Sequence, residues 1–145
     1  MSLWKSIRNL FGGGHKKAPS LPRAPLNPVQ DDEPEIVVPE ITVEELQAAL
    51  DAVTTEADAP LVIDVREPYE WRLARLTFGR HVPMNEVPAH LDSLPKDRPV
   101  VVVCAHGSRS YSVAAWLIEQ GIPASSLAGG ITQWAQKGGR VEQGM

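Results

Sequence analysis

The 145-residue chain is expected to form an α/β domain on a mainly parallel five-stranded sheet, with helices covering both faces. Two observations predict this class. Short apolar stretches alternate along the chain with stretches whose apolar residues recur at helical spacing, as in strands joined by crossover helices. The two strongest stretches, Leu61–Val65 and Pro99–Val103, are apolar almost throughout rather than at every second position, which marks strands buried on both faces.

Residues 1–34 stand outside that pattern. Trp4, Ile7, Leu10 and Phe11 recur at helical spacing beside Lys5 and Arg8, and Gly12-Gly13-Gly14 ends the repeat. Pro19, Pro22, Pro25 and Pro28 then mark an extended linker. Three readings suit the start: an unpacked tail, a short helix over residues 3–11 docking weakly on a membrane or partner, or a targeting segment. It lacks the apolar core of a secretory signal.

The domain is expected over residues 35–140, followed by a tail at 141–145. Glu35-Ile36-Val37-Val38 reads as a first strand, and Thr42-Val43-Glu44-Glu45 as a capping box that opens a helix through Leu46, Leu50 and Val53. After Leu61–Val65 comes a helix from about Glu67, with Pro68 in its first turn and Trp71 on its apolar face. His81–Met84 reads as a short strand and Val87–Leu94 as a short helical stretch broken at Pro95. Pro99–Val103 is the most hydrophobic strand. A helix follows over Arg109–Gln120, with Val113, Ala114, Leu117 and Ile118 inward and Gly121 as its stop. Ser125–Ala128 and Ile131–Lys137 are the last strand and helix, with Trp116 and Trp134 as core residues and Gly129-Gly130 turning the chain between the two.

Composition narrows the functional classes. With 43% hydrophobic residues the chain suits one core of roughly 100 residues plus an extension, and no second enzymatic domain. The net charge is −4, but residues 1–30 hold five cations and no acid, which leaves −9 on the rest. An acidic domain argues against nucleic acid as its partner. A single cysteine excludes an internal disulfide, and no apolar run approaches the ~20 residues of a membrane span, so a cytoplasmic location is expected.

Cys104 follows the strand Pro99–Val103 and opens the loop Cys104-Ala105-His106-Gly107-Ser108-Arg109-Ser110, which leads into a helix. A lone cysteine is ordinarily a small inert hydrophobe. Here a thiol at the carboxyl end of a strand faces loop amides and a positive helix end, both of which stabilise a thiolate. Gly107 lets the loop curl its amides inward, and Arg109 and Ser110 add a fixed charge and a hydroxyl. His106 reads as a rim residue, with a proton shuttle as its alternative. Asp64 and Arg66 read as an ion pair or cap at a strand end that shapes the floor of the loop, ahead of a direct catalytic role.

Three stretches then resemble one family, the rhodanese-like sulfurtransferases. Leu61-Val62-Ile63-Asp64-Val65-Arg66-Glu67 is similar to its D-V-R-E strand end, Cys104–Ser110 to its C-x-x-G-x-R/S/T active loop, and Leu127–Trp134 to its L-x-G-G-x-x-x-W segment. All three agree in order and spacing over residues 36–140. Residues 74–83 depart from the family's G-H-I-P-G-A-like segment, which places in question the wall of the pocket beside the sheet.

The resemblance implies a three-layer fold and a two-step transfer. Cys104 would take the outer sulfur of a thiosulfate-like donor as a persulfide, and a thiol, cyanide or a protein acceptor would remove it. Ala105, His106, Gly107, Ser108, Arg109 and Ser110 would bind the anion, with Arg109 lowering the thiol pKa and orienting the donor. No cofactor and no metal is called for. A protein-tyrosine-phosphatase reading fits poorly, because four residues rather than five separate Cys104 from Arg109. The remaining alternatives are a carrier in a protein sulfur relay and a silent binding module. Silent members often lack the cysteine, which this chain keeps.

Overall fold

Val100–Val103 is buried at every position, and a strand with no wet face can only lie in the middle of a sheet. The computed structural model describes residues 36–55 and 58–144. In chain order its elements are β1 (Glu40–Ile41), α1 (Val43–Ala52), β2 (Leu61–Asp64), α2 (Pro68–Leu73), β3 (Ala74–Leu76), β4 (Arg80–His81), a 3₁₀ segment (Met84–Ser93), β5 (Val100–Val103), α3 (Ser108–Glu119), β6 (Ala124–Leu127), α4 (Gly130–Gln136) and β7 (Val141–Gln143). Five strands form one sheet in the order β1-β6-β5-β2-β4, and every neighbouring pair is parallel. The expected α/β class with a five-stranded sheet is therefore what the chain adopts.

Two apolar layers sandwich the sheet. On one face Ile63, Val100, Val102 and Ala124 pack against Val113, Ala114 and Leu117 of α3 and Val87 of the 3₁₀ segment. On the other, Val62, Val101, Val103 and Leu127 meet Val43 and Leu46 of α1 and Ile131 and Trp134 of α4. The predicted capping box is in place: Glu45 N donates to Thr42 Oγ1 at 3.0 Å, and Thr42 N to Glu45 Oε1 at 2.9 Å.

Three expected elements come out differently. The strand placed at Glu35–Val38 lies outside the described residues at Glu35, and residues 36–39 pair with no strand. Pro39 has no N–H for a ladder, so pairing begins at Glu40, opposite Ser126. The strand at His81–Met84 is instead Arg80–His81, after which the chain tightens into a 3₁₀ segment that takes in residues 87–93 of the expected helical stretch. Pro88 lies inside that segment, where it can supply no helical N–H. The expected helix over residues 3–11 and the linker up to residue 34 lie outside the described residues.

Two strands were not foreseen. Ala74–Leu76 pairs antiparallel with Val141–Gln143, so the stretch read as a tail contains the strand that completes a second, two-stranded sheet. Glu142 reaches Arg75 Nε at 3.3 Å, and Gly144 N donates to Leu73 O at 3.2 Å.

Candidate active site

The loop begins where β5 stops. Cys104 is 1% exposed, beneath a turn whose Gly107 takes φ +112°, a left-handed conformation that precedes α3. Two amides of that turn point at the sulfur: Gly107 N lies 3.1 Å and Ser110 N 3.3 Å from Sγ. Ser110 Oγ lies 3.5 Å away. Burial pushes the Cys104 thiol up, but the Ser110 hydroxyl and the amides of Ser110, Gly107 and His106 outweigh it, and the thiol lies below its ordinary value.

The loop's shape is imposed from the far side of the sheet. Ile131 N donates to Cys104 O at 2.9 Å and Thr132 N to Ala105 O at 3.1 Å. The first turn of α4 thereby fixes two loop carbonyls. It comes this near because Gly130, at φ +62°, has no Cβ; one built there would strike the carbonyl oxygens of both Cys104 and Ala105. Gly129-Gly130 therefore does more than turn the chain.

The sequence-predicted residues fall into three groups. Cys104, Ala105, Gly107 and Ser110 form the cradle, with Ser110 fully buried, while His106 and Ser108 are exposed on its outer side. Arg109 stands at the mouth with its fork engaged: Nη1 donates to Glu70 Oε1 at 2.8 Å and Nη2 to Glu70 Oε2 at 3.0 Å. It interacts with the Cys104 charge, but the hydrogen bonds within the loop are the larger causes of the lowered thiol. Asp64 and Arg66 form a buried pair at 2.8 Å that does not touch the loop. Arg66 Nη2 also donates to Ala74 O at 2.7 Å, which ties the end of α2 to the sheet. Their effect on the site passes through α2, the helix that carries Glu70.

Two residues of the site were not singled out from sequence. Glu70 accepts from Glu67 N at 2.9 Å as well as from Arg109, and these bonds hold its carboxyl down at about 2; the Arg109 hydrogen bond is the largest cause. Nothing in its local sequence points to the site, since its arginine partner lies in another element. Ser126, on β6, lies 2.7 Å from Ser110 Oγ and 3.4 Å from Gly107 O. A polar residue in the middle of a buried parallel strand was the signal that could have found it.

The atypical segment 74–83 and β7 edge a hollow of about 270 Å³ lined by Trp71, Arg75, Phe78, Arg80 and Glu142, with no residue of 104–110. His81 stacks on Trp71 with centroids 5.0 Å apart, and Arg75 covers the same ring at 4.4 Å. Among the described residues no three His, Cys, Asp or Glu side chains gather in a way that could hold a metal ion, and no helix is long and apolar enough to cross a membrane.

This geometry can be set beside known proteins. The model of the Rhodanese-like domain family matches residues 42–137. The chain is 35% identical over 103 residues to a sulfurtransferase of Allochromatium vinosum, covering 70% of this chain and 92% of that protein. It is 38% identical over 74 residues to the thiosulfate sulfurtransferase GlpE of Pseudomonas paraeruginosa, covering 50% of this chain and 67% of the relative. A solved rhodanese-like domain protein from Staphylococcus aureus superposes with a TM-score of 0.65 at 29% identity, over 74% of this chain and all of that one.

Proposed function

The chain belongs to the rhodanese-like domain family, and from that premise we propose that it is a sulfurtransferase whose Cys104 carries a sulfane sulfur as a persulfide. The observation that carries the reading is the pair of amides, Gly107 N and Ser110 N, aimed at the sulfur of a buried cysteine. Donors already pointing at an anion need no rearrangement when charge arrives.

The two half-reactions are as follows. The Cys104 thiolate attacks the outer sulfur of a donor such as thiosulfate; the donor S–S bond breaks, its electron pair leaves on sulfite, and Cys104–S–S⁻ remains. Cyanide or a thiolate then attacks the terminal sulfur, the persulfide bond breaks, and thiocyanate or a new persulfide departs with the Cys104 thiolate restored. Neither step consumes a cofactor or metal. The terminal sulfur sits among the amides of residues 105–110 and before the first turn of α3, where negative charge is favoured.

Asp64 and Arg66 act as supporting residues through α2, and His106 and Ser108 belong to the rim. The domain takes in β7 (Val141–Gln143) as well as the expected span to residue 140, with 1–34 as an extension. A free, low-lying thiol suits a reducing compartment, and we place the protein in the cytoplasm.

Incubation with thiosulfate and then cyanide is expected to release thiocyanate. Cys104→Ser should reduce that release by on the order of a thousandfold or more, as loss of a nucleophile does elsewhere. Mass spectrometry should find one added sulfur on Cys104 after donor alone. Equal rates for the two proteins overturn the assignment.

A further inference from the structure

The Arg109 guanidinium does not present a free face to an incoming anion. Both of its terminal nitrogens are bound by the two oxygens of Glu70, at 2.8 and 3.0 Å. Glu70 is itself fixed, since it also accepts the Glu67 amide at 2.9 Å, and Arg66 ties the end of its helix to the sheet. The side chains are partly covered, Arg109 at 33% and Glu70 at 19% exposure. The two unit charges at the mouth therefore cancel.

We propose that Glu70 determines which sulfur donor the site accepts, disfavouring dianionic thiosulfate and favouring the persulfide of a low-charge thiol. The proposal rests on the reading that Cys104 takes up sulfane sulfur. The charge arithmetic is simple. A thiosulfate dianion arriving beside the Cys104 thiolate meets a mouth with no net positive charge, inside a domain whose residues 31–145 carry −9. A thiol persulfide brings one charge at most, so every repulsive term it meets is halved or absent. With such a donor, R–S–S⁻, the Cys104 thiolate attacks the outer sulfur, the bond between the donor's two sulfurs breaks, its electron pair stays on the inner sulfur, and RS⁻ leaves. The leaving thiolate takes up a proton from water, and Cys104–S–S⁻ is formed.

Other charges around the pair leave no positive excess. Glu67 adds a further negative group near Arg109, and Arg66 a positive one near Glu70 that is already neutralised by Asp64. Glu70 remains ionised at any pH at which Cys104 reacts, because its carboxyl is held at about 2. The selection is accordingly constant across the working range.

The test compares two donors, thiosulfate and the persulfide of 2-mercaptoethanol, with cyanide as the common acceptor. In Glu70→Gln the ratio of kcat/KM for thiosulfate to that for the persulfide is expected to rise about three- to tenfold, because removing one negative charge helps a dianion twice as much as a monoanion. Most of the gain should appear in KM for thiosulfate. Its kcat/KM should also fall more steeply with added salt, now that the mouth attracts the donor. Glu70→Asp, which keeps the charge on a shorter arm, should keep the wild-type ratio. If Glu70→Gln lowers transfer from both donors in parallel and leaves their ratio unmoved, Glu70 is only a strut for Arg109 and the proposal falls. Wild-type protein that transfers sulfur from neither donor overturns the sulfur-transfer reading, and the proposal with it.

Discussion

Burial and hydrogen bonding pull the Cys104 thiol in opposite directions, and the outcome depends on how few atoms decide it. The sulfur has two amides and one hydroxyl within 3.5 Å. The hydroxyl belongs to Ser110, whose proton has three destinations: the sulfur, Gly107 O at 3.1 Å, or Ser126 Oγ at 2.7 Å. Ser126 approaches the same carbonyl and the same hydroxyl, so its own proton can satisfy them and leave that of Ser110 for the thiolate. Ser126→Ala is expected to return the thiol toward its ordinary value and shift the acid limb of the pH–rate profile to higher pH. At neutral pH transfer should fall about two- to tenfold, the worth of one ordinary hydrogen bond. An unmoved profile would remove Ser126 from the site. The sign for stability follows the same logic: a thiol lowered in the native state stabilises the fold fully above its unfolded pKa, and that contribution is lost as pH falls through the folded one. The Cys104 loop was legible in the sequence because its residues are contiguous. Glu70 and Ser126 were not, since each becomes a neighbour only when α2 and β6 are laid beside α3.

At the scale of elements, α4 controls the loop from the opposite face of the sheet. Its first amides bind Cys104 O and Ala105 O, and only a glycine at position 130 permits the approach. Gly130→Ala combines a left-handed alanine with a clash against two carbonyls, and should cost on the order of 3 kcal/mol in urea unfolding. Sulfur transfer should fall further than the loss of folded protein explains, because the amides lose their aim. Activity that tracks the folded fraction alone would reduce the contact to packing. Central strands and the long helices could be read from their apolar patterns, since β2, β5 and α3 are governed by burial. The elements that escaped are short and governed by proline or by pairing. Pro39 delays β1, Pro88 makes a 3₁₀ segment of an expected helix, and β3 and β7 stabilise one another across 64 or more intervening residues.

Over the whole molecule, the five-stranded sheet and the two-stranded one serve different ends. The larger sheet carries the thiol; the smaller closes the hollow beside Trp71 and clips the end of the chain to the end of α2. Ending the chain after Arg140 should lower unfolding stability by about 1–3 kcal/mol, through loss of the β3–β7 pairing and the Val141 packing. Thiocyanate formation per folded molecule should remain within about twofold of the intact chain, because none of the lost residues reaches the loop. A large loss of turnover in the folded population would instead join that hollow to the site. The clamp of α4 upon the loop also has a bearing on the protein's birth. Cys104 emerges during synthesis well ahead of Ile131 and Thr132, so the nascent chain exposes only an ordinary thiol, weakly nucleophilic and slow to oxidise. Reactivity arrives with the β6–α4 unit, and the cell meets an armed cysteine only on chains that have folded as far as α4.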